Sequence, residues 1–486
     1  MEKFEKPVIF VLVILAVLIT HACGPVVEND VPGRISIYDD NPYYWQYKDE
    51  PVLLLGGSSE DNMFNHPEGL AEHLDTLKLV GGNYIRNTMS SRNPDNPWPH
   101  RRMETGLYDL DQWDEEYWRR FENLLEMCLE RDIIVQIEIW DPWDYFMTEA
   151  PLGFGPDNVG WESCPFNPIL NINYTAEETG LDPYIDYHSG HLPSTHLFFH
   201  SVPELEDIPL VRQYQEAFVE KILSISLDYP NVLYCMNNEI GEPPEWGEYW
   251  ASYIRHIARE EGKEVFLADM RRNSDFSSEE QLNLLHDRVH YDFFEISQNT
   301  ANDGQAHYDQ IMLIRNEIAD LPKPLNNIKI YGGTIGSWTT NVEEGIWRFW
   351  RNIFGGLASS RFHREGPTPL FFGAGLSHLA QTHIQSMRML TDEMDIFSCE
   401  PSNHLLSDRE PNEAYCIAEA GNQYAVYFPD GGDVMIDLST SGNMELRWLN
   451  ILTSEWLETE TIEGNGQVRI TTPLAGQWAA LILPAE

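Results

Sequence analysis

The sequence predicts an α/β chain, a (β/α)8 TIM barrel followed by a small C-terminal antiparallel β-sandwich, and two changes of pattern predict it. From about residue 35 to 400, short apolar runs alternate with amphipathic stretches, as repeated strand–helix units do. After about residue 400 the pattern becomes residue-by-residue alternation broken by turns. With 486 residues, 42% of them hydrophobic, the chain is long enough to bury one large core and a smaller one.

Residues 1–22 read as an export signal. Lys3 and Lys6 form a basic start, and the apolar run from Val8 to Ile19 is too short to span a bilayer. The run ends at Thr20-His21-Ala22-Cys23, which resembles a bacterial lipoprotein box with Cys23 as the lipidated residue. That resemblance implies an exported protein held in the cell envelope through an N-terminal lipid, with residues 23–34 as a linker. A plain signal peptide or an uncleaved anchor is the alternative.

The strands follow in order within residues 35–400. The first is Pro51–Gly57, the second Asn83–Arg86, the third Ile133–Trp140 and the fourth Asn231–Met236. The fifth is Val265–Asp269, the sixth Tyr291–Glu295, the seventh Ile328–Gly333, and the eighth lies around Leu357–His363. Leu70, Leu74 and Leu77 mark a helix closed by Gly81 and Gly82. Trp113, Tyr117, Phe121, Leu124 and Cys128 recur at helical spacing behind a capping Asp111. Val211, Tyr214, Phe218, Ile222 and Ile225 mark another, stopped by Pro230. The Pro- and Asn-rich insert from Asp144 to about Pro209 is expected to wall a cleft on the C-terminal face of the barrel, where such folds carry their sites. Residues 401–486 read as the sandwich, with Met444, Leu446 and Trp448 alternating and Asp430-Gly431-Gly432 as a hairpin turn.

Composition narrows the function. The net charge of -47, from 78 acidic against 31 basic residues, repels phosphate backbones and excludes nucleic acid as a partner. No phosphate loop, dinucleotide fingerprint, Ser-His-Asp order or metal-ligand spacing occurs, so no cofactor is expected. Besides Cys23, the cysteines Cys128, Cys164, Cys235, Cys399 and Cys416 show no metal or disulfide framework. A Cys399–Cys416 bridge is compatible with an oxidising compartment. The 12% aromatic share suits either a large core or stacking on sugar rings.

The chemical signal is Tyr229-Pro-Asn-Val-Leu-Tyr-Cys-Met-Asn-Asn-Glu239, a helix stop, a buried strand, then Asn-Glu at its tip. Here the chain resembles clan A glycoside hydrolases, including cellulase-like family 5 and apiosidase-like enzymes. The stretch from Tyr108 to Ile137 and the tail at Tyr424-Ala-Val-Tyr-Phe-Pro-Asp-Gly-Gly are similar to the same enzymes. The resemblance implies a carbohydrate substrate, Glu239 as acid/base, Asn238 on a sugar hydroxyl and Arg86 steadying the nucleophile. Such chemistry needs one carboxyl with a raised pKa to protonate the leaving oxygen and a second to meet the cationic centre.

The clan's second carboxyl belongs at the end of the seventh strand, where this sequence has Lys329 and no acid. Either the strand count is shifted by one or the carboxyl comes from elsewhere. Glu295 is the preferred partner, and Asp141, Glu138, Asp269 and Glu365 are the other candidates. Glu138 shares a face with Gln136 and reads as structural. A separation of about 5 Å between the two carboxyls would mean retention, a longer one inversion. Trp140, Asp141, Trp143, Gln298, Asn299 and Trp338 are the expected sugar-contacting rim, with Arg361 and His363 beside them. Arg86, Arg92, Arg271, Arg272, Arg361 and Arg364 gather near strand ends. They suit a uronic or sulfated glycan, or else pair with mouth carboxylates such as Glu60, Asp61 and Asp269. The expected activity is glycoside hydrolysis. The alternatives are a non-catalytic glycan-binding lipoprotein and a polysaccharide lyase using His363 and the arginines.

Overall fold

The computed structural model describes residues 33–146, 160–184, 196–332, 342–365, 373–438 and 442–485. Eight parallel strands run in the expected order: β1 (Leu54–Gly57), β2 (Tyr84–Thr88), β3 (Ile134–Trp140), β4 (Val232–Asn237), β5 (Leu267–Ala268), β6 (Phe294–Glu295), β7 (Leu325–Asn326) and β8 (Ser359–Phe362). Six form one sheet, in the order β5-β4-β3-β2-β1-β8, and β6 pairs with β7. Backbone bonds join the two sheets on both sides. Asp292 donates to the Leu267 carbonyl at 2.8 Å, and Ala358 donates to the Leu325 carbonyl at 3.0 Å. The sheet therefore curls into a ring, with a helix after each strand, as a TIM barrel requires.

Local chemistry explains most boundaries. Helix α1 (Leu70–Leu79) buries Leu70, Leu74 and Leu77 and ends ahead of Gly81, whose φ of 81° suits glycine. Helix α2 (Glu115–Glu130) buries Tyr117, Trp118, Phe121, Leu124, Leu125 and Cys128. Its cap is Asp114, which accepts the Tyr117 N–H at 2.9 Å, not Asp111, which belongs to a preceding antiparallel strand, Tyr108–Trp113. Helix α3 (Pro209–Ser226) starts on a proline whose missing N–H is harmless there. The remaining barrel helices are α4 (Pro244–Glu260), α5 (Glu279–His286), α6 (Gly304–Glu317), α7 (Val342–Phe354) and α8 (His378–Thr391).

The seventh strand needs a correction. Regular pairing begins at Leu325, ahead of the expected Ile328, and the chain continues through Ile330, which bridges Phe362. Lys329 thus follows the strand instead of lying within it.

Close backbone contact fixes the Gly-Gly end of β1. A Cβ on Gly56 would sit 1.8 Å from the Tyr84 carbonyl, and one on Gly57 2.0 Å from the Gly375 carbonyl. The Tyr84 carbonyl cannot yield without moving β2, and the Gly375 carbonyl belongs to the turn that leads into α8. Gly56→Ala is expected to lower unfolding stability by about 1–3 kcal/mol, read from the shift in urea midpoint.

After the barrel come a seven-stranded and a three-stranded antiparallel sheet. Cys416, Val426 and Phe428 of the first share a core with Val434, Ile436 and Ile470 of the second. Asp430-Gly431-Gly432 is not a hairpin turn. Gln423–Phe428 pairs within the larger sheet and Asp433–Asp437 within the smaller, so this turn carries the chain from one sheet to the other. Cys399 and Cys416 are free thiols, with no bridge between them. Among the described residues no helix is long and apolar enough to cross a membrane. Cys23 and Trp338 lie outside the described residues.

Candidate active site

The barrel interior is polar and layered. In the lower layer the Tyr84 hydroxyl donates to Gln136 Oε1 at 2.5 Å, and Gln136 Nε2 donates to Glu295 Oε2 at 3.2 Å. Asn326 joins from β7, donating to the Tyr84 oxygen at 3.1 Å. Glu295 Oε1 accepts from the Ser297 hydroxyl and from the Ile328 N–H. Burial pushes the Glu295 carboxyl up to about 7. Near neutrality it therefore carries a proton about half of the time, yet both oxygens are engaged within the barrel, and it shares no hydrogen bond with Glu239.

Above this lies an arginine between two acids. Arg86 grips Glu138 through Nε at 2.8 Å and Nη2 at 2.5 Å, and its Nη1 meets Asp61 at 2.6 Å. All three are buried. Burial alone would raise the Asp61 carboxyl, but Arg364, Arg86, His363 and Arg92 hold it well below the usual range. Glu138 is raised because burial outweighs Arg86. Arg86 therefore holds Glu138 and Asp61, and Glu138 is buried with both oxygens on the guanidinium.

The mouth is built around β4. Asn237 holds Asp269 at 2.6 Å and accepts from the Trp246 indole at 3.0 Å, which anchors the strand's end. Two residues on, Glu239 adopts a left-handed φ of 53°. For a residue with a long side chain this costs of order 1–3 kcal/mol and persists only where neighbours over-determine it, a state that clusters at functional sites. The neighbours are Lys329, which ion-pairs with Glu239, Gln298, which donates to Oε1 at 2.9 Å, and the Tyr331 hydroxyl at 3.4 Å. Lys329 also donates to Asn238 Oδ1 at 2.9 Å, while Asn238 Nδ2 donates to Asp141 Oδ1 at 3.1 Å. Burial works to raise the Glu239 carboxyl, but Lys329 overrides it and pulls it down to about 2. On the ammonium the balance differs: burial lowers Lys329 despite the attraction of Glu239. Glu239 keeps 16% of its side chain exposed against 2% for Lys329, so it is the member of the pair that solvent and ligands reach.

Several expected rim residues sit elsewhere. Trp140 is not a sugar platform: it is fully buried among Phe198, Phe218, Trp246 and Trp250. Part of the inserted segment supplies that packing. Asn299 is buried too, donating to the His307 carbonyl at 2.9 Å. Trp143 opens a four-residue helix, Trp143–Phe146. Asn238 and Asp141 are at the mouth but hold one another and Lys329. Arg361 is buried, donating to the Ile328 carbonyl at 2.7 Å and to Ser58. His363 lies 3.4 Å from Asp61, and burial keeps its imidazole far below the usual value and hence neutral. Arg92 pairs with Asp141, and Arg364 reaches Asp61 at 3.0 Å. Arg271 pairs with Glu280 at 3.0 Å, while Arg272 and Glu365 are exposed.

The contacts of Lys329 and Tyr331 with Glu239 escape sequence reasoning, although Lys329 is conspicuous there as a cation where an acid is expected. Asp61 enters only as a salt-bridge partner, yet four cationic or imidazole groups converge on it.

No family model matches the sequence, and no curated protein matches it. Solved structures do. The chain is similar to a glycoside hydrolase family 5 protein from Bacteroides vulgatus ATCC 8482, with 13% identity and a TM-score of 0.63 over 93% of each chain. The fold resembles that of family 5 glycoside hydrolases. A second structure, described as a glycoside hydrolase, shares 12% identity at a TM-score of 0.61, over 93% of this chain and 97% of its own. A family 5 mannosidase mutant from Rhizomucor miehei, in complex with mannosyl-fructose, shares 14% at 0.53, over 75% and 98%. Identities this low establish a shared fold, and on a family 5-like barrel function has to be argued from the mouth itself.

Proposed function

We propose that the protein is a glycoside hydrolase that binds a glycan across the C-terminal mouth of the barrel, with Glu239 as its reacting carboxyl. The observation that carries this reading is the strained, partly exposed Glu239 at the tip of β4, held among Lys329, Gln298 and Tyr331. The family 5-like fold supports it. As acid/base, Glu239 enters the cycle ionised, because of Lys329, and acts first as a base or as an anion facing a developing oxocarbenium centre. Glu295, whose carboxyl burial raises to about 7, is the partner that can hold a proton. To reach a sugar it would have to leave Ser297 and Gln136. The mouth arginines face carboxylates, Arg86 on Asp61 and Glu138 and Arg92 on Asp141, which favours a neutral glycan over a uronic or sulfated one. The basic-apolar start and Cys23 support export and attachment to the envelope.

A second reading, glycan binding without cleavage, is favoured by one observation: a lysine stands where the clan's second carboxyl belongs, and it occupies Glu239. One experiment separates the two. Reducing-end release from neutral, uronic and sulfated polysaccharides is followed for the wild type beside Glu239→Gln. Release that falls by about a hundredfold or more in the variant supports hydrolysis through Glu239. Binding without release supports the second reading. Release that survives the substitution rules out Glu239 as the reacting group.

A further inference from the structure

On the face of the barrel that carries Glu239, a cavity of about 420 Å³ lies between the loop that follows β2 and residues 162–170 of the insert. Its size falls within the roughly 300–1,000 Å³ of small-molecule sites. Glu239 does not line it. The loop nevertheless begins at the mouth, because Arg92 pairs with Asp141, which accepts from Asn238 beside Glu239. Six residues further on, Trp98 forms part of the cavity wall.

The backbone around Trp98 is fixed. Pro97 precedes it with a locked φ, and Pro99 restricts Trp98 itself. The Pro97 carbonyl accepts from the Ser91 hydroxyl at 2.8 Å. The Pro99 carbonyl accepts from the Asp114 N–H and from the Trp118 indole, each at 3.0 Å. The Trp98 side chain is half-buried against the core. Trp113 nearby stacks on His100, but Trp98 meets no other ring among the described residues, and its indole N–H has no partner there. A ring held on a rigid loop and left partly uncovered spares a ligand the cost of ordering it.

The groups around it define the ligand. Asn93 lines the cavity as well, and its Oδ1 accepts from Asn62 at 3.1 Å, while its amide N–H groups donate to none of the described residues. The Ser163 hydroxyl is likewise unpartnered among them. Tyr108 and Leu170 add apolar wall. Asp95, Asp114 and Glu162 outnumber Arg102, whose guanidinium sits 5.9 Å from the centre of the Tyr108 ring. An anion is therefore repelled, and a wholly apolar ligand would cover the indole and amide donors without satisfying them.

We propose that this cavity is a distal sugar subsite, with Trp98 as its platform, which takes a neutral pyranose unit. Its relation to the mouth, as a subsite for the same glycan, rests on Glu239 being the reacting carboxyl. The C–H face of the pyranose lies on the indole, and its hydroxyls, which accept and donate at once, meet the Trp98 N–H, the Asn93 amide and the Ser163 hydroxyl. The substrate is then a chain long enough to reach from Glu239 past Arg92 to Trp98.

The test uses the full chain carrying Glu239→Gln, so that glycans stay intact, with 15N in the indole nitrogens. Cellohexaose, mannohexaose, xylohexaose and hexagalacturonate are titrated in turn and followed by NMR and calorimetry. At least one neutral hexasaccharide is expected to shift the Trp98 indole signal, which is assigned by its loss in Trp98→Phe. Trp98→Ala is expected to weaken that binding about tenfold, through loss of the ring. Asn93→Asp keeps the shape and the acceptor for Asn62, and is expected to weaken it about fivefold, through loss of one hydrogen bond. Trp98→Phe keeps a flat ring and is expected to bind more tightly than Trp98→Ala, which separates loss of the platform from collapse of the loop. Hexagalacturonate is expected to leave the signal in place. The proposal is overturned if no neutral hexasaccharide moves the Trp98 signal, or if Trp98→Ala and Asn93→Asp both bind as tightly as their parent. It is also overturned if hexagalacturonate binds there as well as the neutral chains do. If the wild type releases no reducing ends from a sugar that moves the signal, the hydrolase reading falls while the sugar site at Trp98 stands.

Discussion

Arg86→Met is expected to lower unfolding stability by about 3–5 kcal/mol, the largest effect of any single change in the barrel interior. The guanidinium is fully buried and makes three charge-assisted hydrogen bonds, two to Glu138 and one to Asp61. Methionine fills much of the same space, so lost volume is a minor part of the effect. What matters is that Glu138 is left as a buried carboxylate without its cation. Asp61 fares better, because Arg364, Arg92 and His363 still face it. Two further measurements follow from that asymmetry. Glu138→Leu added to Arg86→Met is expected to restore much of the loss, because an apolar pair replaces an uncompensated charge. Asp61→Asn added instead is expected to restore little. Denaturant midpoints of the four proteins decide it, and equal rescue by both second substitutions would mean that the three charges do not divide as their geometry indicates.

The same residues show how far sequence carries. The order of eight strands is legible because β1 to β4 are bounded by glycines, prolines and charged turns that leave little choice of register. The later strands are harder. β5, β6 and β7 pair regularly over two residues each, so apolar runs of five or six overstate them and shift the seventh. The Asp111 cap fails because a short antiparallel strand precedes α2 and leaves Asp114 to close the first turn. The turn at Asp430 fails for a tertiary reason: Gly-Gly permits a tight reversal, but which sheet the next strand joins depends on partners far away in the chain.

At the site, the Asn-Glu tip of β4 is legible as chemistry because both its place and its residue types are unusual. The direction in which a side chain points is not. Trp140 sits at a strand end, where a sugar platform belongs, but Phe198 of the insert packs against it, backed by Trp161, and no local pattern announces that. Arginines gathered at strand ends look like an anion site until the carboxylates that meet them are placed. Those carboxylates come from the ends of two strands far apart in the chain, Asp61 after β1 and Glu138 and Asp141 at the end of β3, so the compensation appears only in the folded barrel.

Lys329→Met is expected to raise the pKa of Glu239 by more than 2 units, from about 2 to above the ordinary 4.5, because burial remains and its main opponent is gone. The sign for activity depends on the form in which Glu239 reacts. If the carboxylate is the working form, the acidic limb of kcat/KM moves up from near pH 2 into the range above 4.5, and below that limb the variant loses about tenfold per pH unit. Wild type and variant should then converge toward alkaline pH. If the protonated form is the working one, the variant is instead the faster enzyme near neutrality. Stability gives a separate check. A carboxyl depressed in the folded state contributes stability that is present above its unfolded pKa and lost as pH falls through about 2. The variant lacks that contribution, and it also lacks the penalty of burying the Lys329 ammonium, so the two changes oppose one another. The substitution therefore moves protonation at the mouth without the collapse expected at Arg86. Titration of the 13C-labelled Glu239 carboxyl in both proteins measures the shift directly, whatever the substrate. An unchanged midpoint would remove Lys329 from control of the site and leave Gln298 and Tyr331 to account for the ionised carboxylate.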